Sequence, residues 1–278
     1  ARIAERGIDR SPSLLGLSEE TTTGVEQLTQ LQNEGRLPIP AIAVNSARMK
    51  HLLDNRYGTG QSTWDAILRS TNLLVAGKMV AIIGYGWCGK GLAIRARGLG
   101  ARVIVCDVDE IKAVEALMEG FDVSSLATAL PKADVVITAT GTPGVLDRDA
   151  LMLVKDGALL ANAGHFGFEI DKAALEALCT ECEDFRPGVR AYTLSTGRTC
   201  VLLGEGELVN LSLADGHPIE IMDISFGLQA LCLEHLAREH AALPPAVHPV
   251  PDRVERQVAR LILSTLSGGG SWTQTKAR

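Results

Sequence analysis

The feature that most restricts the fold is the apolar run Val80–Ile83 leading into Gly84-Tyr85-Gly86-Trp87-Cys88-Gly89, a G-x-G-x-x-G hexapeptide that opens a helical stretch. In this setting each glycine has a task. Gly84 permits the tight turn, Gly86 lets a pyrophosphate approach the backbone, and Gly89 allows close helix–strand packing. The helix N-terminus presents free N–H groups to phosphates, and Trp87 and Cys88 within the loop are expected to contact the cofactor. A second apolar run, Val103–Cys106, ends in Asp107, where a carboxylate accepts hydrogen bonds from an adenine ribose. A carboxylate there repels a 2′-phosphate, so NAD is expected rather than NADP. Glycine supplies 28 of the 278 residues, enough to produce the hexapeptide by chance. The agreement of strand, glycines, helix and acid weighs against a mere packing turn.

Around this motif the pattern alternates. Strands are expected at Met79–Ile83, Arg102–Cys106, Asp134–Thr138 and Ala158–Asn162, and helices at Gly89–Leu99, Ile111–Met118 and Asp149–Val154. Such alternation predicts an α/β fold with a doubly wound parallel sheet and right-handed crossovers. Arg190–Leu194 and Cys200–Leu203 predict an antiparallel hairpin at the sheet edge. Upstream, Ser18–Gly24 reads as a polar turn, Val25–Asn33 as a helix and Ala41–Val44 as a short apolar run. Arg48–Arg56 reads as a helix closed by Tyr57-Gly58-Thr59-Gly60, followed by a helix over Thr63–Leu74. Downstream, helices are expected at Ile219–His240 and Val254–Leu266, with a flexible tail from Ser267.

Charge and composition narrow the partners. A formal net charge of −6 gives no reason to expect nucleic acid or an acidic membrane. No uncharged apolar run approaches the roughly 18 residues of a membrane span. The N-terminus, Ala1-Arg-Ile-Ala-Glu-Arg6, lacks the apolar core of a signal peptide and an initiator Met, so a processed or truncated chain is expected. Six cysteines (Cys88, Cys106, Cys179, Cys182, Cys200, Cys232) show no framework spacing, which favours a reducing cytoplasm. Cys179-Thr-Glu-Cys182 is a single C-x-x-C, weak support for zinc or redox chemistry, and is expected at a solvent-side helix end. No metal site is expected.

Several further stretches carry a family resemblance: Glu19-Glu-Thr-Thr-Thr-Gly24, Ala43-Val-Asn45, Asp54-Asn-Arg-Tyr-Gly58, Ala76-Gly-Lys78, Gly84–Gly89, Asn162-Ala-Gly-His-Phe166, Glu169-Ile-Asp171, Val209-Asn210 and Asp215-Gly-His-Pro218. From Glu19 to about Arg260 the chain resembles the S-adenosyl-L-homocysteine hydrolases (adenosylhomocysteinases), most closely their archaeal and thermophilic-bacterial branch. The resemblance implies reversible hydrolysis of S-adenosylhomocysteine to adenosine and homocysteine. In that chemistry the ribose 3′-hydroxyl is transiently oxidised by bound NAD, the C4′ proton is removed, homocysteine leaves, water adds and the hydride returns. It also implies a cytoplasmic homotetramer and a Rossmann NAD-binding domain inserted in a partial substrate domain. The expected divisions are 1–60 (partial substrate domain and hinge), 61–214 (NAD-binding domain), 215–250 (return to the substrate domain) and 251–278 (C-terminal helix and tail).

Lys50 and Asp54 stand i,i+4, on one face of a helix. The resemblance places both beside the ribose 3′-hydroxyl, where a cationic Lys stabilises the developing alkoxide and a Lys of lowered pKa serves as base. Without the resemblance, a surface ion pair is the simpler reading. His165 and His217 are acid/base candidates for C4′ or for the homocysteine and water steps. Glu20, Thr21 and Met222 are expected to bind substrate, although Met222 also suits a helix core. Cofactor contacts are expected from Thr21, Thr22, Thr23, Asn55, Thr138, Gly141, Ala163, Gly164, His165 and Asn210, beside the glycine loop and Asp107.

The chain departs from the family at four points. The family's N-terminal substrate segment before Glu19, with a His and an Asp for the adenosine site, is expected to be missing from these 278 residues. The ending Trp272–Arg278 does not match the family's tail, whose Lys and Tyr reach a neighbour's NAD. Gly167 replaces an Asp, and Thr59 stands where many members have Cys. Exposed apolar surface of the truncated substrate domain, either self-association or poor solubility, and weakened hydrolysis are therefore expected. The alternatives are a non-catalytic NAD-binding regulatory protein of the adenosylhomocysteinase-like type and, less consistent with Glu19–Asn55, an NAD-dependent hydroxyacid dehydrogenase.

Overall fold

The computed structural model describes residues 14–165 and 167–266. The expected tail from Ser267 lies outside the described residues. The chain divides into two compact units, Ala1–Asp54 with Ile219–Arg278 and Asn55–Pro218.

The first unit opens with Leu17–Glu19 (β1), parallel to Ala41–Ala43 (β2), with Leu17 opposite Ala41 and Glu19 opposite Ala43. The stretch read as a polar turn is therefore a strand followed by a helix start. Three residues are too few to show a period. Thr22–Asn33 (α1) begins earlier than expected because the Thr21 hydroxyl accepts the Gly24 N–H at 3.1 Å, an N-cap.

The helix expected over Arg48–Arg56 is corrected. One α-helical turn, Arg48–Lys50, passes into a π-helical segment, His51–Gly58, which runs on into Thr59–Thr71 (α2). Gly58-Thr59-Gly60 does not end a helix. Glycine at position 60 serves contact instead, because a Cβ there would sit 2.7 Å from the Gly91 carbonyl carbon. Asn72, left-handed at φ 54°, ends α2.

The second unit carries Met79–Ile83 (β3), Trp87–Gly98 (α3), Arg102–Cys106 (β4), Glu110–Met118 (α4), Asp122–Val123 (β5), Val135–Thr138 (β6), Ala158–Asn162 (β7), Lys172–Leu178 (α5), Cys179–Arg186 (β8), Val189–Leu194 (β9) and Thr199–Leu203 (β10). They form one sheet in the order β5-β4-β3-β6-β7-β10-β9-β8. It is parallel from β5 to β10 and antiparallel at β9 and β8. Val80 and Ile82 enter one apolar layer, Ala81 and Ile83 the other, as a strand buried on both faces requires. The order reverses between β3 and β6, the position at which open α/β sheets bind ligands.

The hairpin forms as expected, but β8 takes the edge. The predicted helix end at Cys179–Cys182 is therefore strand. Glu181, Glu183, Asp184 and Arg186 make it a charged edge that discourages further pairing. The helix expected over Asp149–Val154 shrinks to Arg148–Leu151, capped by Asp147.

The first unit resumes with Ile219–Glu239 (α6), Val247–Pro249 (β11) and Asp252–Leu266 (α7). The strand β11 pairs with β2 and completes a three-stranded parallel sheet. Ile42 and Val44 pack with Ile224, Leu228, Val254 and Val258 in this unit's core.

Two glycines test the packing. A Cβ at Gly89 would overlap the Gly84 carbonyl oxygen, and one at Gly91 would overlap that of Arg56. Backbone cannot give way as a flexible side chain can. Gly89→Ala or Gly91→Ala should therefore lower stability by about 2–4 kcal/mol in urea unfolding. A Gly86→Ala control, where a Cβ meets nothing within 4 Å, should cost far less.

Candidate active site

In the second unit, the loops after β3, β4, β6 and β7 leave one edge of the sheet. Gly84 adopts φ +94°, which favours glycine. Helix α3 has no side-chain cap, and the positive end of its dipole favours an anion. The Asp107 carboxylate accepts the Tyr85 N–H at 2.6 Å and the Asp109 N–H at 2.9 Å. It is thereby held against the glycine turn. Open space before Gly86 and the uncapped helix end fit a pyrophosphate. The buried Asn210 fits a ligand donor: its Nδ2 donates to Ser62 Oγ at 3.2 Å while Oδ1 takes no hydrogen bond. The residues present thus suit a dinucleotide.

The side chains at the start of α3 are also fixed. Lys90 Nζ lies 4.6 Å from the Trp87 ring centroid and donates to Glu115 at 2.6 Å. Cys88 Sγ donates to Thr59 Oγ1 at 3.7 Å, and that oxygen lies 3.3 Å from His217 Nε2. Thr59, noted above as a departure, therefore links the glycine loop to His217. Thr138 and Asn162 stand opposite each other in register, and the Thr138 hydroxyl donates to Asn162 Oδ1 at 3.2 Å. The same oxygen accepts the Gly164 N–H at 2.9 Å, and Asn162 Nδ2 donates to Gly206 O at 3.0 Å. Ala163 is buried beside them and donates its N–H to Thr138 O.

Glu169 was not singled out as a functional residue in the sequence, yet it organises this edge. It is fully buried. Its carboxylate accepts Thr140 N and Thr140 Oγ1 at 3.0 Å each, Gly141 N at 2.6 Å and His165 N at 3.1 Å. One side chain therefore ties the loop after β6 to the loop carrying His165. A Cβ at Gly164 would overlap this carboxylate. A Cβ at Gly167 would lie 2.7 Å from Glu207 Cδ, the far end of a flexible side chain that can swing aside, so nothing in the structure explains the glycine. Acids just after a His-bearing loop were the available signal.

In the first unit, the i,i+4 pair forms. Lys50 Nζ donates to Asp54 Oδ1 at 3.0 Å, with both side chains buried. The pair is thus no solvated surface bridge. Ser225 Oγ, from α6, donates to Asp54 Oδ2 at 2.7 Å, and Glu20 Oε1 lies 3.7 Å from Lys50 Nζ. Thr21 donates to Glu19 at 2.7 Å, and Thr22 Oγ1 accepts Asn45 Nδ2 at 2.9 Å. Met222 is half-buried on the first turns of α6, Thr23 half-buried on α1, and Asn55 half-buried at the start of the second unit.

Burial pushes the Glu20 carboxyl up to about 7; Lys50 opposes the rise and Asp54 adds to it. A carboxyl whose folded pKa is raised keeps its proton while the unfolded chain loses one. Stability is then lost as pH rises from about 4.5 to about 7 and is level above. Glu20→Gln should remove roughly 2 kcal/mol of that pH-dependent loss, after allowing for solvent screening. Unfolding free energies of both proteins at pH 5 and pH 8 check this; parallel changes would contradict it.

Among the described residues, no helix is long and apolar enough to cross a membrane.

Comparisons with known proteins agree with this geometry. A family model described as S-adenosyl-L-homocysteine hydrolase, NAD binding domain, matches residues 55–216. An adenosylhomocysteinase of Thermotoga maritima is 55% identical over 91% of this chain and 63% of its own length. One from Thermococcus kodakarensis is 52% identical over 92% of this chain and 61% of its own. An S-inosyl-L-homocysteine hydrolase of Methanopyrus kandleri is 51% identical over 96% of this chain and 63% of its own. The chain spans about three-fifths of the length of these curated relatives.

Proposed function

The chain belongs to the S-adenosyl-L-homocysteine hydrolase family, with NAD as its cofactor, and from that premise we propose that it acts in the reversible hydrolysis of S-adenosyl-L-homocysteine to adenosine and homocysteine. The observation that carries this reading is the buried cluster in which Lys50 meets Asp54 and Glu20 while Ser225 holds Asp54. A buried ammonium between two carboxyls is costly unless function or further partners offset it.

Each residue then has a task. The Lys50 ammonium stabilises the oxyanion that develops as the ribose 3′-hydroxyl loses its proton. Asp54, held by Ser225, keeps that ammonium in place. Glu20, with its raised pKa and two buried oxygens that take no hydrogen bond, accepts a ribose hydroxyl or holds a proton. Bound NAD supplies the hydride acceptor for ribose oxidation. Gly84, Gly86, Gly89 and the start of α3 hold its phosphates, Asp107 its adenine ribose, and Asn210 its carboxamide end. His165 and His217 move protons at C4′ and at the leaving thiolate or entering water. Thr21, Thr22, Thr23, Asn55, Thr138, Gly141, Ala163 and Gly164 complete the cofactor and substrate contacts, and Met222 packs on the base. The cytoplasm and a homotetramer complete the reading.

The test is release of homocysteine, read with a thiol reagent, when the chain meets S-adenosylhomocysteine. S-inosylhomocysteine is the second substrate to offer, since a relative of equal similarity is named for it. Binding of NAD with no thiol released from either substrate would favour the regulatory alternative. Calorimetry should show NAD bound at least about tenfold more tightly than NADP, because the Asp107 carboxylate repels a 2′-phosphate. Equal affinities would remove Asp107 from the ribose.

A further inference from the structure

The C-x-x-C at Cys179–Cys182 lies outside everything assigned above. In an unbroken strand, residues three apart point to opposite faces and stand about 10 Å apart. Here the register is broken. Cys179 pairs with Leu194, Glu181 with Thr193 and Cys182 with Tyr192, so Thr180 is an extra residue, a β-bulge. Leu194 and Tyr192 are two residues apart on β9 and share a face. The bulge therefore places Cys179 and Cys182 on that same face. Their backbones are separated by about two strand steps, roughly 6.8 Å, within the reach of a disulfide.

Three further observations support a working pair. The thiols interact: Cys179 is raised by burial first, then by the charge and hydrogen bond of Cys182. Accessibility is graded, with Cys182 exposed on the edge strand and Cys179 half-buried behind it. The bulge is pinned, since Thr180 Oγ1 donates to Thr193 O at 3.1 Å.

We propose that Cys179 and Cys182 form a reversible disulfide across the bulge in β8, made by exchange with a low-molecular-weight disulfide of the glutathione class. The exposed Cys182, as thiolate, attacks one sulfur of the small disulfide and expels one small thiolate. Cys179 then gives its proton to solvent, and its sulfur attacks the Cys182 sulfur and expels the second. The protein loses two protons and two electrons, and the small disulfide becomes two thiols. The closed ring is short and lies at an exposed edge, so the bond belongs to the labile, regulatory kind rather than the structural one.

The full chain is incubated with oxidised glutathione, the remaining thiols are alkylated and the protein is digested with trypsin. The peptide Ala173–Arg190, left uncut at Arg186 because Pro187 follows it, contains both cysteines and no other. The expected result is that peptide lighter by two hydrogens, unalkylated, and restored by dithiothreitol. In Cys179→Ser the intermediate is trapped, and the peptide carries one glutathione at Cys182. In Cys182→Ser, reaction at Cys179 is at least about tenfold slower, as its burial requires. Two glutathiones on the native peptide, or two alkylated thiols after oxidation that modifies the half-buried Cys88, would overturn the proposal.

Discussion

Replacing Lys50 by Met is expected to lower the rate of NAD reduction by adenosine roughly 10³-fold, about 4 kcal/mol of barrier, while NAD still binds. Its ammonium is the only side-chain cation paired with both Asp54 and Glu20 among the described residues. Losing it removes the positive charge opposite the developing ribose oxyanion and leaves two buried carboxyls facing each other. A fall in stability would follow, of about 3 kcal/mol. A slow variant could then be only a poorly folded one. The double variant Lys50→Met with Asp54→Asn separates the two effects, because the amide removes the uncompensated charge and still accepts from Ser225. It should regain most of the stability and none of the oxidation rate. Absorbance of the reduced cofactor and a urea titration read the two quantities independently. Native-like reduction by either variant would take Lys50 out of the oxidation step.

The sequence was readable where a local pattern decides the structure. The glycine loop, its strand and its acid are contiguous, and the parallel strands are apolar runs because both faces are covered. The i,i+4 spacing of Lys50 and Asp54 needed only a helix to become a contact, and the α-turn passing into a π-helical segment still supplied it. What was illegible depends on distant partners. Strands β1, β2 and β11 have three residues each, too few for a period, and gain their definition from pairing across the length of the chain. Ser225 meets Asp54 across 171 residues, a contact no spacing announces. Strand β8 is exposed along almost its whole length and its bulges break alternation, so it resembled the end of the preceding helix. Glu169 escaped for a related reason: its partners are mostly backbone N–H groups, and backbone donors leave no mark in a sequence.

That buried carboxylate sets up the other large effect. Each neighbour of Glu169 is a donor, two on each oxygen. Hydrogen bonds to a charged acceptor are the stronger kind, and a buried N–H left without a partner costs about 1–3 kcal/mol. Glu169→Gln keeps the volume and one acceptor oxygen but turns an NH₂ group toward one pair of donors. If the amide nitrogen faces Thr140, the hydroxyl can rotate to accept and only one N–H is stranded. If it faces Gly141 and His165, both N–H groups are stranded, since neither can reverse. The first arrangement is therefore preferred, and the expected loss is about 2–4 kcal/mol. Glu169→Leu leaves all four donors unmet and should exceed it. Because the carboxylate joins the loop after β6 to the loop bearing His165, loss of NAD affinity should accompany the loss of stability, by tenfold or more in calorimetry. A residue that only filled space would show no such difference, with Leu and Gln nearly equal and NAD affinity unchanged. Water entering to satisfy the donors would give that same result, and either outcome would remove Glu169 as the clamp of this edge.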